Sequence, residues 1–142
     1  MEELLELRAY IEQGRYAEAL ALIGEMEEMS RDDKINKIES FLQILLLHLI
    51  KQHAEERTTR SWEVSIHNAV DGIRRVNKRR KAGGYYLSKN ELKESIDEIY
   101  PASLRQASLE AFAGRYNDAE LTAKIDEPEI KAQALKLVLT AL

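Results

Sequence analysis

The chain contains no cysteine. That excludes disulfides, thiolate catalysis and Cys-ligated zinc, and a reducing cytoplasm is the natural setting. Proline and glycine are scarce, with 2 and 6 residues among 142. So few breakers, in a chain rich in Ala, Leu, Glu and Lys, favour helices and leave little punctuation for strands and tight turns. No alternating β-branched run bounded by turn residues is found. A span-length apolar stretch is also missing. The most apolar segment, FLQILLLHLI (Phe41–Ile50), is 10 residues, against the roughly 20 that a membrane helix needs. The first residues, MEELLELR, have no basic stretch ahead of an apolar run and do not read as a signal peptide. Sequence signatures of catalysis are likewise absent: there is no HExxH, P-loop, GxGxxG or GxSxG pattern.

What is present is charge, unevenly distributed. Residues 1–50 hold 5 Lys/Arg against 11 Asp/Glu, residues 51–81 hold 9 against 4, and residues 82–142 hold 7 against 10. A basic middle lies between acidic arms, and local fields of this kind steer partners more than the overall net charge of −4 does.

Apolar spacing predicts an all-α fold, a single-domain irregular bundle around a central buried helix. Leu4, Leu7 and Ile11, with Leu5, mark a first helix to Gln13. Gly14 breaks it, and Arg15 to Met29 forms a second, so residues 1–29 read as an N-terminal hairpin. Ser30 followed by Asp33 predicts an N-cap for a third helix, Arg31 to His53, with Ile35, Ile38, Leu42, Leu45 and Leu49 inward. Apolar nearly all round from Phe41, it is the central helix. The polar stretch KQHAEERTTRS is the next connection. A fourth helix from Ser61, as its cap, carries Trp62, Ile66, Ala69, Val70, Ile73 and Val76 on one face until Gly83 and Gly84 stop it. Residues 30–82 are thus a central helix pair. In residues 83–125, SKNE (Ser88–Glu91) is a capping box ahead of Leu92, Ile96 and Ile99, Pro101 either kinks that helix or opens another, and a short helix covers Arg115 to Ile125. Residues 126–142 form a terminal helix begun by Pro128, whose LKLVLTAL offers a surface for homo-oligomers. GRYAEAL (from Gly14) and GRYNDAEL (from Gly114) echo one another as inter-helix turns.

Chemistry-bearing residues are few. His48 lies in the central helix as a hydrogen-bonded core residue. His53, five residues on, points about 140° away, so the two build no shared metal site. Glu63 and His67 are one turn apart, which is common on exposed helix faces. No catalytic residue, metal or cofactor is assigned, and an enzyme is disfavoured. Two groups remain. Arg74, Lys78 and Lys81 on one helical ridge, Arg75 and Arg79 on another, and Arg80 beside them carry enough charge to contact phosphates, with Tyr85 and Tyr86 available to stack on bases. The same cations suit the negative end of their own helix or acidic helices. Trp62, with Arg57 and Arg60, makes an aromatic–cation corner that anchors the fourth helix or serves as a contact hot spot.

LLLHLIKQ (Leu45–Gln52), ERTTRSWEVSI (Glu56–Ile66) and the IRRVNKRR continuation (Ile73–Arg80) together resemble the domain of unknown function 29 family, small helical bacterial proteins common in cyanobacteria. The likeness extends from GEMEEMSRDDK to LEAFAGRYNDAEL and is most specific at the leucine-rich helix with His48 and at Arg60, Ser61 and Trp62. It implies an all-helical fold and brings no catalytic residue or cofactor. KAGGYYLS and the terminal helix are this chain's own. The expectation is a cytoplasmic, non-catalytic regulatory or adaptor protein that binds a protein partner through charged helical faces, with inhibition of a nucleic-acid-processing enzyme as one form of it. The alternative is nucleic-acid binding through residues 74–81. No membrane partner is expected.

Overall fold

The computed structural model describes residues 2–79 and 83–140, with Thr140 described in its backbone only. Six α-helices follow one another: α1 (Glu2–Glu12), α2 (Tyr16–Glu55), α3 (Arg60–Asn77), α4 (Lys89–Glu110), α5 (Asp118–Thr122) and α6 (Glu127–Thr140), with a 3-10 turn at Ala111–Gly114. The architecture is all-α, and no strand occurs among the described residues. Among the described residues no helix is long and apolar enough to cross a membrane. Two compact units divide between Lys34 and Ile35.

The first unit is a helical hairpin. Gly14 turns the chain in the left-handed region (φ +72°), where a side chain would be strained. The Arg15 N–H closes the turn on the Tyr10 carbonyl at 2.8 Å, and the Arg15 guanidinium lies over the Tyr10 ring. The expected apolar stripe exists but is uncovered: α1 buries no residue, Leu5 and Leu20 are 66% and 70% exposed, and Ala19 alone is buried among the unit's described residues. The helix break at Ser30 does not occur. Ser30 sits inside α2, which runs 40 residues without interruption. Between Gly24 and Glu55 the chain has neither proline nor glycine, and a mid-helix serine costs only a fraction of a kcal/mol, too little to stop a helix extended from both sides.

The second unit holds the core. Ile38, Leu42, Leu45, Leu46, Leu49 and Ile50 of α2 are almost wholly shielded, so the central helix is where the leucine run placed it. Around it pack Ala69 and Ile73 of α3, Leu92, Ile96 and Ala107 of α4, Leu121 of α5, and Ile130, Ala134 and Val138 of α6. The terminal helix puts Ile130, Ala134 and Val138 into its own core, with Leu135, Leu137 and Leu139 half-buried against it. Pro101 lies inside α4, which continues through it. The capping box at Ser88 and Glu91 is formed. A second one at Asn117 and Glu120 starts α5, which is shorter than the predicted Arg115–Ile125 helix. The two GRY turns share left-handed glycines, Gly14 and Gly114. Their packing differs, since Ala19 is buried and Ala119 exposed.

Candidate functional site

Helix α3 begins earlier and ends earlier than its sequence suggests. Thr59, not Ser61, is the cap, its hydroxyl accepting the Trp62 N–H at 3.1 Å. At the other end the helix stops at Asn77, six residues before Gly83. The reason is the Asn77 side chain, which is 1% exposed. Its amide donates to the Leu87 carbonyl at 3.2 Å and its oxygen accepts the Leu87 N–H at 2.7 Å. The Tyr86 N–H donates to the Asn77 carbonyl and the Arg79 N–H to the Gly84 carbonyl, at 2.8 and 3.0 Å. Lys78 and Tyr85 form an antiparallel bridge, and Gly83 and Gly84 reverse the chain at φ +74° and +73°. Residues 77–79 and 84–87 are thus pinned to one another.

This overturns the two helical ridges. Arg74 and Arg75 are exposed in the last turn of α3, but Lys78 is extended and both it and Arg79 lie beyond the helix. Arg80 and Lys81 lie outside the described residues. Tyr85 is 45% exposed. Tyr86 is half-buried, with the Arg79 guanidinium 5.8 Å from its ring centre. The structure so brings Lys78, Arg79, Tyr85 and Tyr86 into one turn.

Beside this turn a groove of about 360 Å³ opens between α2 and α3, lined by Lys37, Ser40, Phe41, Gly72, Arg75 and Val76. Its floor is apolar and its two charged lining residues are cations. Gly72 shapes it: a Cβ there would lie 2.6 Å from the Phe41 ring. The lone hydrogen lets the Phe41 ring pack directly on the α3 backbone. The sequence signal was a glycine amid an otherwise good helix, a mark of close packing.

The second predicted group is also assembled in part. The Lys51 ammonium and the Arg57 guanidinium each lie 4.7 Å from the centre of the Trp62 ring. Lys51 is only 6% exposed and donates to Glu110 at 3.0 Å; Arg57 pairs with Glu55 at 3.0 Å. Burial alone would push the Glu110 carboxyl up, but hydrogen bonds from Gln106 and Lys51 and the Lys51 charge outweigh it and hold the group below its ordinary value. The two cations on the Trp62 ring, Lys51 and Arg57, are thus each paired with a carboxylate. Arg60 is exposed at the start of α3 and is not among the groups closing on Trp62. Sequence reasoning assigned Lys51 no role; it lies near the end of α2, which runs on to Glu55, two residues beyond the predicted His53.

The histidines are separate. His48 is half-buried, its Nδ1 2.8 Å from the Ile44 carbonyl; His53 pairs with Gln133, and His67 with Asp71. Among the described residues no cluster of three His, Asp or Glu side chains is placed to hold a metal. A second groove, of about 420 Å³ between α4 and α6, has Lys131 bound to Asp97 and Glu127 at 3.1 and 3.8 Å. Its rim mixes both signs. The α2–α3 groove, by contrast, has no acid in its lining.

No curated protein and no solved structure matches the chain. The family model described as "Domain of unknown function DUF29" matches residues 10–127, and with that the chain belongs to the DUF29 family.

Proposed function

We propose that this is a non-catalytic, cytoplasmic regulatory protein that binds an acidic segment of a partner protein through the cationic face of its second unit. The observation that carries this reading is the α2–α3 groove, apolar in its floor and cationic at its rim, running in sequence from Arg75 and Val76 into Lys78 and Arg79 of the turn. Apolar floor and charged rim together match the anatomy of protein contacts. A site for phosphate backbones needs the charge and has no use for the floor.

The test is affinity capture from native lysate with the full chain and with a variant carrying Arg75→Glu, Lys78→Glu and Arg79→Glu. The expected result is a stoichiometric partner held by the first and lost by the second. Capture of no stoichiometric protein, or equal capture by both, overturns the reading.

A second reading, nucleic-acid binding by the turn, is favoured by one observation: exposed Tyr85 beside the Arg79–Tyr86 stack. It requires affinity that falls with salt at a log–log slope of about −0.7 to −0.9 per phosphate contacted, and a shallower slope in the same triple variant.

A further inference from the structure

Resting on the protein-binding reading above, we propose that the α2–α3 groove is an anchor socket for an acidic amphipathic helix. One or two bulky aliphatic side chains of the partner sit against Phe41 and Val76. Carboxylates on the same helix, a turn away, meet Arg75 and then Lys78.

Four observations lead to this occupant. No acid lines the groove, and the cations Arg75 in the lining and Lys78 beside it are exposed, so the complement is acidic. The only hydroxyl in the lining, on Ser40, is committed to the Asn36 carbonyl of its own helix at 3.0 Å. The socket therefore selects by shape and charge, not by a ladder of hydrogen bonds. No strand edge exists among the described residues to which an extended peptide could add, the floor has one aromatic ring where proline-rich segments need several, and a purely charged motif would leave the apolar floor unused; a helix laid in an inter-helical groove is the mode that fits. Finally, the floor offered to the guest is apolar, made by Val76 and by the Phe41 ring, which packs directly on the bare backbone of Gly72.

The experiment is a fluorescence-anisotropy titration of the full chain with three labelled probes at low salt. The first is a synthetic helical peptide of about 16 residues, long enough for partial helicity, made of Glu, Ala and Leu with leucines at alternating third and fourth positions. The second replaces every Leu by Ala at equal charge. The third is a single-stranded DNA oligonucleotide. The leucine peptide is expected to bind about tenfold or more tightly than the alanine peptide, as for loss of an anchor side chain. Ser40→Glu, a change at an exposed position on the rim, should weaken it by a similar factor, and Ser40→Lys should not, both with unchanged circular dichroism. Equal binding of the two peptides overturns the socket while leaving the charged-face reading in place. Binding of the oligonucleotide alone overturns both.

Discussion

Replacing Asn77 by alanine should unpin the basic turn, and the cost can be worked from two bonds. The Asn77 amide satisfies both backbone groups of Leu87, at 2.7 and 3.2 Å, and Leu87 itself is 4% exposed. Truncation leaves one N–H and one C=O in apolar surroundings. Each such group costs about 1–3 kcal/mol, and partial rehydration at the turn keeps the total near the lower end, about 3 kcal/mol. With an m-value of about 1–3 kcal/mol/M for urea, the unfolding midpoint followed by far-UV circular dichroism should fall by roughly 1–3 M. Asn77→Asp makes the reasoning sharper. The acceptor for the Leu87 N–H is kept, but at neutral pH a second carboxylate oxygen faces the Leu87 carbonyl with no hydrogen between them. Burial and that oxygen raise the folded pKa of the new group above its unfolded value. Stability relative to wild type should therefore recover as pH falls through the folded pKa and be lost again as pH rises. A loss below about 1 kcal/mol in the alanine variant, or an aspartate variant whose deficit does not change with pH, would refute the pin.

Tyr100→Phe should leave stability unchanged or raise it by up to about 1 kcal/mol in the same urea assay. The Tyr100 hydroxyl is buried with no hydrogen-bond partner among the described residues, and burial, then the Glu127 charge, pushes its ionisation up; a loss above 1 kcal/mol would mean the hydroxyl is satisfied. Glu110→Gln should cost about 1 kcal/mol at neutral pH, the open side of Glu110 screening its pair with Lys51. Because the folded carboxyl lies below its ordinary value of 4.5, its contribution is complete above that value and vanishes as pH drops through the folded pKa. Wild-type and variant midpoints should converge in acid. Gly114→Ala forces a side chain into φ +79° with its Cβ 3.1 Å from the Leu109 carbonyl, and should lower stability by about 1–2 kcal/mol by thermal or urea unfolding.

Local signals were legible where neighbours in sequence decide the outcome. The leucines of Phe41–Ile50 announced the central helix, and Ser88 with Glu91 announced the start of α4, because periodicity and caps act within a turn or two. The basic segment was misread because its shape depends on a contact ten residues away: helix propensity carried the ridge past Asn77, and only the pairing with Leu87 stops it. Asn77 falls one turn after Ile73 on the inward face, so a polar residue in an apolar stripe was the available clue. The groove was invisible for a related reason. Phe41 and Gly72 lie on different helices, and no spacing along either reveals that one leaves room for the other. Lys51 shows the same limit. Nothing within KQHAEER says that its ammonium is enclosed by Trp62 and Glu110.

The first helix has a kinetic consequence. An 11-residue helix that buries no side chain draws on its own hydrogen bonds and on pairs such as Arg8–Glu12, worth a few tenths of a kcal/mol. That is too little to offset the cost of nucleation at this length. Its amides should therefore exchange with deuterium through local openings of nearly zero free energy, while those of Leu42 to Ile50 wait for global unfolding. One chain then carries two clocks, and whatever covers Leu4, Leu5 and Ile11 in a complex will be seen first as a slowing of the faster one.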